Sequence, residues 1–274
     1  MRLEPRKCRS ALPAVSALVL ALMLAAGASA AGPAGAAKPI TSDDRLFQAF
    51  AEDATIVPNQ WWEGSLDFAS YEHVDVTALT LTAAFRPVTQ LEVGGHVGFG
   101  KTSADDDIPD GSGATDLDVW GKWHLGTAAG RAEFAVGGLA TVPTGDDTAG
   151  LGYDAFSIEG FGAMRYRLPE AIFSAHLGLR MNGDGHIEGA RIEGKTSAVL
   201  GAGVIFPVSD QVGLVGEANM ESERFRQQSD SDFRLLFGVN WRPLNRGIIR
   251  AAISAGLTDA APDARLIVGY AYTF

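Results

Sequence analysis

The sequence predicts an all-β chain closed as a twelve-stranded antiparallel transmembrane barrel of the bacterial outer membrane. Three observations carry that expectation. Apolar and polar residues alternate with a period of two in successive segments from residue 61 to residue 274, the connections between segments alternate short and long, and the N-terminus reads as an export signal.

The signal comes first along the chain. Arg2, Arg6, Lys7 and Arg9 precede an apolar stretch over residues 11–26, and Ala28-Ser29-Ala30 supplies the small residues of a cleavage site. The chain has 22 basic and 33 acidic residues; four of the former and one of the latter, Glu4, lie in this segment, so the processed protein carries a net charge of -14. Its only cysteine, Cys8, leaves with the signal, which excludes a disulfide scaffold, a thiol enzyme and a Cys-ligated metal centre. The acidic balance shows no basic stripe for nucleic acid. No apolar run of about 18 residues follows the signal, so a helical span is excluded.

Residues 31–60 read as a periplasmic N-terminal segment, with 45–54 (RLFQAFAEDA) as a short amphipathic helix. The barrel domain then occupies residues 61–274. Its expected strands are 61–70, 74–85, 91–100, 116–125, 133–142, 156–167, 173–180, 195–206, 212–220, 233–242, 247–257 and 265–274. Leu91, Val93, Val97 and Phe99 share one face of the third while Glu92 and His96 share the other, because successive side chains of a strand point to opposite sides of the sheet. In the fourth, Leu117, Val119, Trp123 and Leu125 oppose Asp116, Asp118, Trp120, Lys122 and His124. An even number of strands permits closure with both ends of the chain on one side.

The connections sort by parity. Those at 86–90, 126–130, 168–170, 207–210 and 243–246 are short and carry Pro or Gly; those at 101–115, 143–154, 182–194, 222–232 and 258–264 are mostly longer and polar. Short periplasmic turns and long outer loops are the outer-membrane arrangement.

A soluble sandwich or lipocalin-like barrel would turn its apolar face inward. Segments of nine to eleven residues match a tilted membrane crossing, and a mid-membrane Arg or Lys facing lipid would cost about 2–4 kcal/mol. The charged faces are therefore expected inside, lining the lumen with Glu92, His96, Asp116, Asp118, Trp120, Lys122, His124, Glu133, Glu159, Arg165, His176, Arg180, Glu217, Arg234 and Arg242. Trp120, Phe161 and several of the arginines are large enough to narrow the bore. The mixed charges give at most a weak cation preference. Trp62, Phe85, Phe99, Trp123, Tyr166, Phe206, Trp241 and Tyr270 fall on the outer faces, where they suit interfacial girdles. In the last strand Leu266, Val268, Tyr270, Tyr272 and the terminal Phe274 alternate outward. That pattern resembles the C-terminal assembly signal of outer-membrane proteins, with Tyr270, Tyr272 and Phe274 as its residues.

Several motifs are formal only. Gly95-His96-Val97-Gly98-Phe99-Gly100-Lys101-Thr102 matches G-x-x-x-x-G-K-T, but no helix follows to offer its amides to phosphate. Asp105, Asp106, Asp107 and Asp110 read as a solvated acidic loop, since Pro109 and the missing terminal Glu break a calcium-loop register. His96, His124 and His176 lack metal-ligand spacing. Ser174 and His176 share a face without a nucleophile elbow. No cofactor, metal or catalytic residue is expected, and the protein is not expected to be an enzyme.

Two stretches carry a family likeness: Gly113-Ala114-Thr115-Asp116-Leu117-Asp118-Val119-Trp120-Gly121-Lys122-Trp123, and Ala140-Thr141-Val142-Pro143-Thr144-Gly145-Asp146-Asp147 with Gly150-Leu151-Gly152. Together they resemble the outer-membrane proteins of the phenol meta-pathway. The resemblance implies a β-barrel associated with uptake of aromatic or other hydrophobic compounds. By itself the Pro-Thr-Gly-Asp run also suits a strand end, where Pro stops ladder donation and Asp bonds nearby amides.

The expected function is a passive channel or uptake protein for small, hydrophobic or aromatic solutes. Its partners would be outer-membrane lipid, lipopolysaccharide, the assembly machinery reached through the last strand, and the solute itself. The alternatives are a closed structural or adhesive surface barrel acting through its outer loops, and an outer-membrane lipid-modifying enzyme.

Overall fold

The computed structural model describes residues 45–47, 53–104, 110–187, 189–243 and 247–274. The signal segment, Asp105, Asp106 and Asp107 lie outside them, as do residues 48–52 of the helix expected over 45–54; residues 45–47 are not helical. The described chain is built of strands: β1 (Gln60–Ser70), β2 (Val74–Val88), β3 (Leu91–Ala104), β4 in two pieces (Gly111–Ala114 and Leu117–Ala128), β5 (Ala132–Val142), β6 (Ser157–Arg167), β7 (Ile172–Asn182), β8 (Thr196–Pro207), β9 (Val212–Glu221), β10 (Asp232–Trp241), β11 (Gly247–Gly256) and β12 (Ala264–Thr273). Every neighbouring pair is antiparallel. β1 pairs with β2 on one side and with β12 on the other, from Trp61↔Thr273 to Ser70↔Ala264, so the sheet has no free edge. All twelve expected segments are strands of this barrel.

Alternation decides which face each residue takes. β6 and β7 show it without interruption: Ser157, Glu159, Phe161, Ala163 and Arg165 are buried while Ile158, Met164 and Tyr166 are exposed. On β7, Ser174, His176 and Arg180 are buried and Leu177 is 61% exposed; on β10, Phe237 is 62% exposed. A folded chain that shows large apolar side chains around its whole circumference and seals ionic ones inside is surrounded by hydrocarbon, not water.

Several boundaries differ from expectation. β2 runs on to Val88 through a register shift between Phe85 and Val88, so the expected turn at 86–90 shrinks to Thr89 and Gln90. A bulge relieves Pro87 of the ladder hydrogen bond it cannot donate. On the outer side β3 extends to Ala104 and β4 begins at Gly111, pairing Thr102 with Gly111 and Phe99 with Ala114. The outward Asp75, Thr77, Lys101 and Ser103 are exposed at these ends, above the apolar belt. The periplasmic turn between β4 and β5 uses Ala129 (φ 50°) and Gly130 (φ 69°), the left-handed pair that matches hairpin twist.

The segment before β1 is not confined to the periplasm. Leu46, Ala54 and Val57 are fully buried inside the barrel. Leu46 packs on Ile172, Ile205 and Val215; Phe47 joins Leu236, Ala252 and Ile267; Ala54 meets Ala135 and Ala163; Val57 meets Trp61, Ala84, Trp120, Ile248 and Ala271. Gly203 and Gly238 make room for it: a Cβ at Gly203 would stand 2.7 Å from Leu46, and one at Gly238 2.5 Å from the Phe47 ring.

Candidate transport path

The floor of the path is pinned by Glu92, an inward residue of β3 with no solvent exposure. Its carboxylate accepts from Arg45 Nη2 and the Val57 amide, each at 2.7 Å, and from Trp120 Nε1 at 3.1 Å, while Lys122 Nζ lies 3.4 Å away. The two cations and two neutral donors all converge on one acid, which is what a buried carboxylate requires. Arg165, also sealed from solvent, holds Asp53 at 2.7 Å. Arg250 donates to the Leu46 carbonyl and to Glu63, and its guanidinium lies over the Phe47 ring at 4.4 Å. Asn240 Nδ2 donates to the Arg45 carbonyl at 3.0 Å, and Glu217 accepts the Phe47 amide.

Above the floor a second network crosses the wall. Glu159 accepts from Arg180 Nη2 at 2.7 Å and lies 3.0 Å from His176 Nε2; Arg180 Nη1 reaches Glu221 at 3.1 Å, and Ser197 donates to Glu221 at 3.0 Å. Opposite, His96 stands 3.0 Å from Asp118. Arg265 chelates Asp67, and Arg234 pairs with Asp232 beside it on β10. At the periplasmic rim Glu133 is shared by Arg167 at 2.7 Å and His124 at 3.9 Å, and Arg242, just past β10, donates its amide to the Gln211 carbonyl.

Asp116 differs from the other inward acids. It interrupts β4, and its carboxylate collects loop amides: Gly145 N–H donates to Oδ1 at 2.9 Å and Tyr153 N–H to Oδ2 at 3.3 Å. Thr144 closes the same knot by accepting from the Leu117 amide at 2.9 Å and donating to the Thr115 carbonyl. Gly145 and Gly152 lie so close to each other and to Asp116 that a Cβ at either would fall within 2.9 Å of them. The Gly113–Asp116 and Pro-Thr-Gly-Asp stretches therefore fold loop 143–156 inward over the lumen. Replacing Asp116 with alanine strands two amides and is expected to loosen this loop by about 1–3 kcal/mol, seen as new proteolysis within 143–156.

Outer-loop carboxylates strengthen the cover. The Thr148 hydroxyl and the Ala149 amide hold Asp146 below the usual carboxylate range; the Gly194 amide and Arg191 do so for Asp184, and Lys195 for Glu223. A lowered folded-state pKa gives stability that is present above the ordinary value and lost as pH falls through the lowered one. Loop protection from protease is thus expected to be unchanged from about pH 7 to 5 and to fail only below about pH 4.

Among the described residues, two cavities lie within the bore. The outer mouth, 630 Å³, is bounded by Tyr71, Glu72, Thr102, Ile187, Gln228 and Asp259 among others. The inner chamber, 370 Å³, is bounded by Glu63, Asp67, His96, Asp118, Trp120, Arg180, Arg250 and Arg265, with Phe47 of the plug at its floor. Both are lined by Thr115, Asp116, Leu151, Tyr153 and Arg224, which form the neck between them.

Sequence reasoning missed Arg45, Asp53, Arg224 and Arg250. Arg250 had a signal, since strand parity from Ile248 turns it inward from an Ala- and Ile-rich strand. Arg45 and Asp53 belong to no strand and had none.

The fold defines a class: a closed twelve-stranded antiparallel barrel of the outer membrane, apolar outside and ionic inside. Among solved structures, an outer-membrane channel from Pseudomonas putida F1 superposes with a TM-score of 0.70 over 84% of this chain and 100% of that one, at 13% identity. The NanC porin gives 0.53 over 78% and 100% at 7% identity, and the KdgM porin in complex with disordered oligogalacturonate 0.52 over 77% and 99% at 9% identity. At these identities the likeness is one of fold. No family model and no curated protein matches the chain.

Proposed function

We propose that the protein is a passive outer-membrane channel that admits small solutes, aromatic and other hydrophobic compounds included, by diffusion and without a covalent step. The observation that carries this reading is the shared neck: mouth and chamber adjoin at Thr115, Asp116, Leu151, Tyr153 and Arg224, between the outer surface and the plug. The motif likeness of residues 113–152 to the phenol meta-pathway proteins supports the solute class. Ser174 Oγ makes no hydrogen bond to any described residue, which favours a channel over a Ser-His enzyme. The outward Tyr270 and Phe274, with Tyr272 edge-on to Phe274 at 4.7 Å, suit recognition by the assembly machinery, and the outer belt and loops suit lipid and lipopolysaccharide.

Liposome swelling tests the proposal. Purified, heat-modifiable protein is expected to admit a small sugar such as arabinose faster than protein-free vesicles do. The plugged floor favours a second reading, a closed surface barrel acting through its loops. Absence of flux in both the wild type and Glu92→Gln would decide for it.

A further inference from the structure

The lining of the inner chamber and its neck is uneven in hydrogen-bonding capacity. Its acids are largely engaged: Glu63 by Arg250, Asp67 by Arg265, Asp116 by two loop amides, and Asp118 through one oxygen by His96. Arg180 uses all three guanidinium nitrogens within the wall, and Arg250 uses all three on the wall and the plug. Arg224 does not. It follows β9 and lines both cavities, and it engages only Nε, donating to Asn182 Oδ1 at 3.2 Å with Glu221 at 3.6 Å. Its guanidinium is held in place by the rings of Tyr153, 4.9 Å away, and Phe225, 5.6 Å away. Nη1 and Nη2 make no hydrogen bond to any described residue.

A guanidinium fixed on aromatic faces with its two terminal amino groups unclaimed matches the planar fork of a carboxylate. We propose that the neck is a solute-selecting site at which Arg224 receives the carboxylate of a small organic acid entering from the outer mouth, with Tyr153 as the positioning residue beneath it. This deepens the channel reading, on which its role in transport rests. The chamber of 370 Å³ beyond the neck accommodates the remainder of a solute of sugar-acid or aromatic-acid size, with Trp120 and Asp118 on its wall.

Binding and conduction are measured separately on the full chain. In equilibrium dialysis of micellar protein, labelled gluconate is expected to bind saturably and size-matched sorbitol and glucosamine to bind at least tenfold more weakly. Arg224→Gln should weaken gluconate tenfold or more, Arg224→Lys less, and Tyr153→Leu several-fold, whereas Arg191→Gln on an exposed loop should change nothing. Should Arg224→Gln not fold, the Tyr153→Leu and Arg224→Lys series decides. Absence of saturable gluconate binding, equal binding of sorbitol, or full affinity in Arg224→Gln overturns the site. In planar bilayers gluconate should block small-ion current through the wild type and not through Arg224→Gln. Binding with the expected variant pattern but no current in any variant would remove the channel reading and leave the site standing.

Discussion

Glu92→Ala is expected to free the N-terminal segment from the bore and raise single-channel conductance several-fold. The substitution removes the one acceptor shared by Arg45, Lys122, Trp120 and the Val57 amide. Lys122 has no solvent exposure and Arg45 almost none, so both cations lose a main counter-charge away from water. Breaking one side of a buried ion pair typically costs about 3–5 kcal/mol. The cheapest relief is for Arg45 to withdraw towards the periplasm, taking Leu46 and Phe47 with it. Glu92→Gln keeps two acceptor lone pairs and should have a smaller effect, and Glu133→Gln at the rim should leave conductance unchanged. Planar-bilayer recordings read the first outcome and urea unfolding in micelles the second. Unchanged conductance in Glu92→Ala would mean that the segment does not set the resistance of the path.

Leu177→Arg tests the other half of the architecture. Leu177 lies at the middle of β7, outward and 61% exposed, between the inward His176 and the Gly178 that opposes Phe161. An arginine there meets hydrocarbon at depth and should cost about 2–4 kcal/mol. The same change at Lys101, which stands outward above the belt, should cost almost nothing. Assembly yield into bilayers of defined thickness, read by heat-modifiability, separates them. A soluble barrel would tolerate both changes alike, since an exposed Leu→Arg change in water is close to neutral.

Most of the wall was legible in the sequence because a period of two is a local property: Leu91 to Phe99, or Ser157 to Arg165, declares its faces without reference to any partner strand. Closure followed from an even count and from the polar face needing shelter from lipid. The plug was not legible. Arg45, Leu46 and Val57 acquire their positions from Glu92, Ile205 and Ile248, contacts that span much of the chain and leave no short-range pattern. What the inward glycines accommodate was not legible either: Gly94 lies under Trp120, Gly137 under Phe161 and Gly203 under Leu46. Asp116 was read as one lumen charge among many. Its service to the amides of Gly145 and Tyr153 depends on a loop that returns after residue 143, which strand parity does not describe.

The N-terminal segment also bears on how the molecule comes into being. Arg45 and Leu46 are made early, but their partners Asn240 and Arg250 come from the last strands, 195 and 204 residues later. Those bonds can form only once the final hairpin has arrived, at about the time β12 zips to β1. Contacts of such sequence separation are slow to form. Docking of the seam and filling of the bore thus become one late, cooperative event, so a barrel that has failed to close also stands empty, with its guanidinium and carboxylate groups still wet.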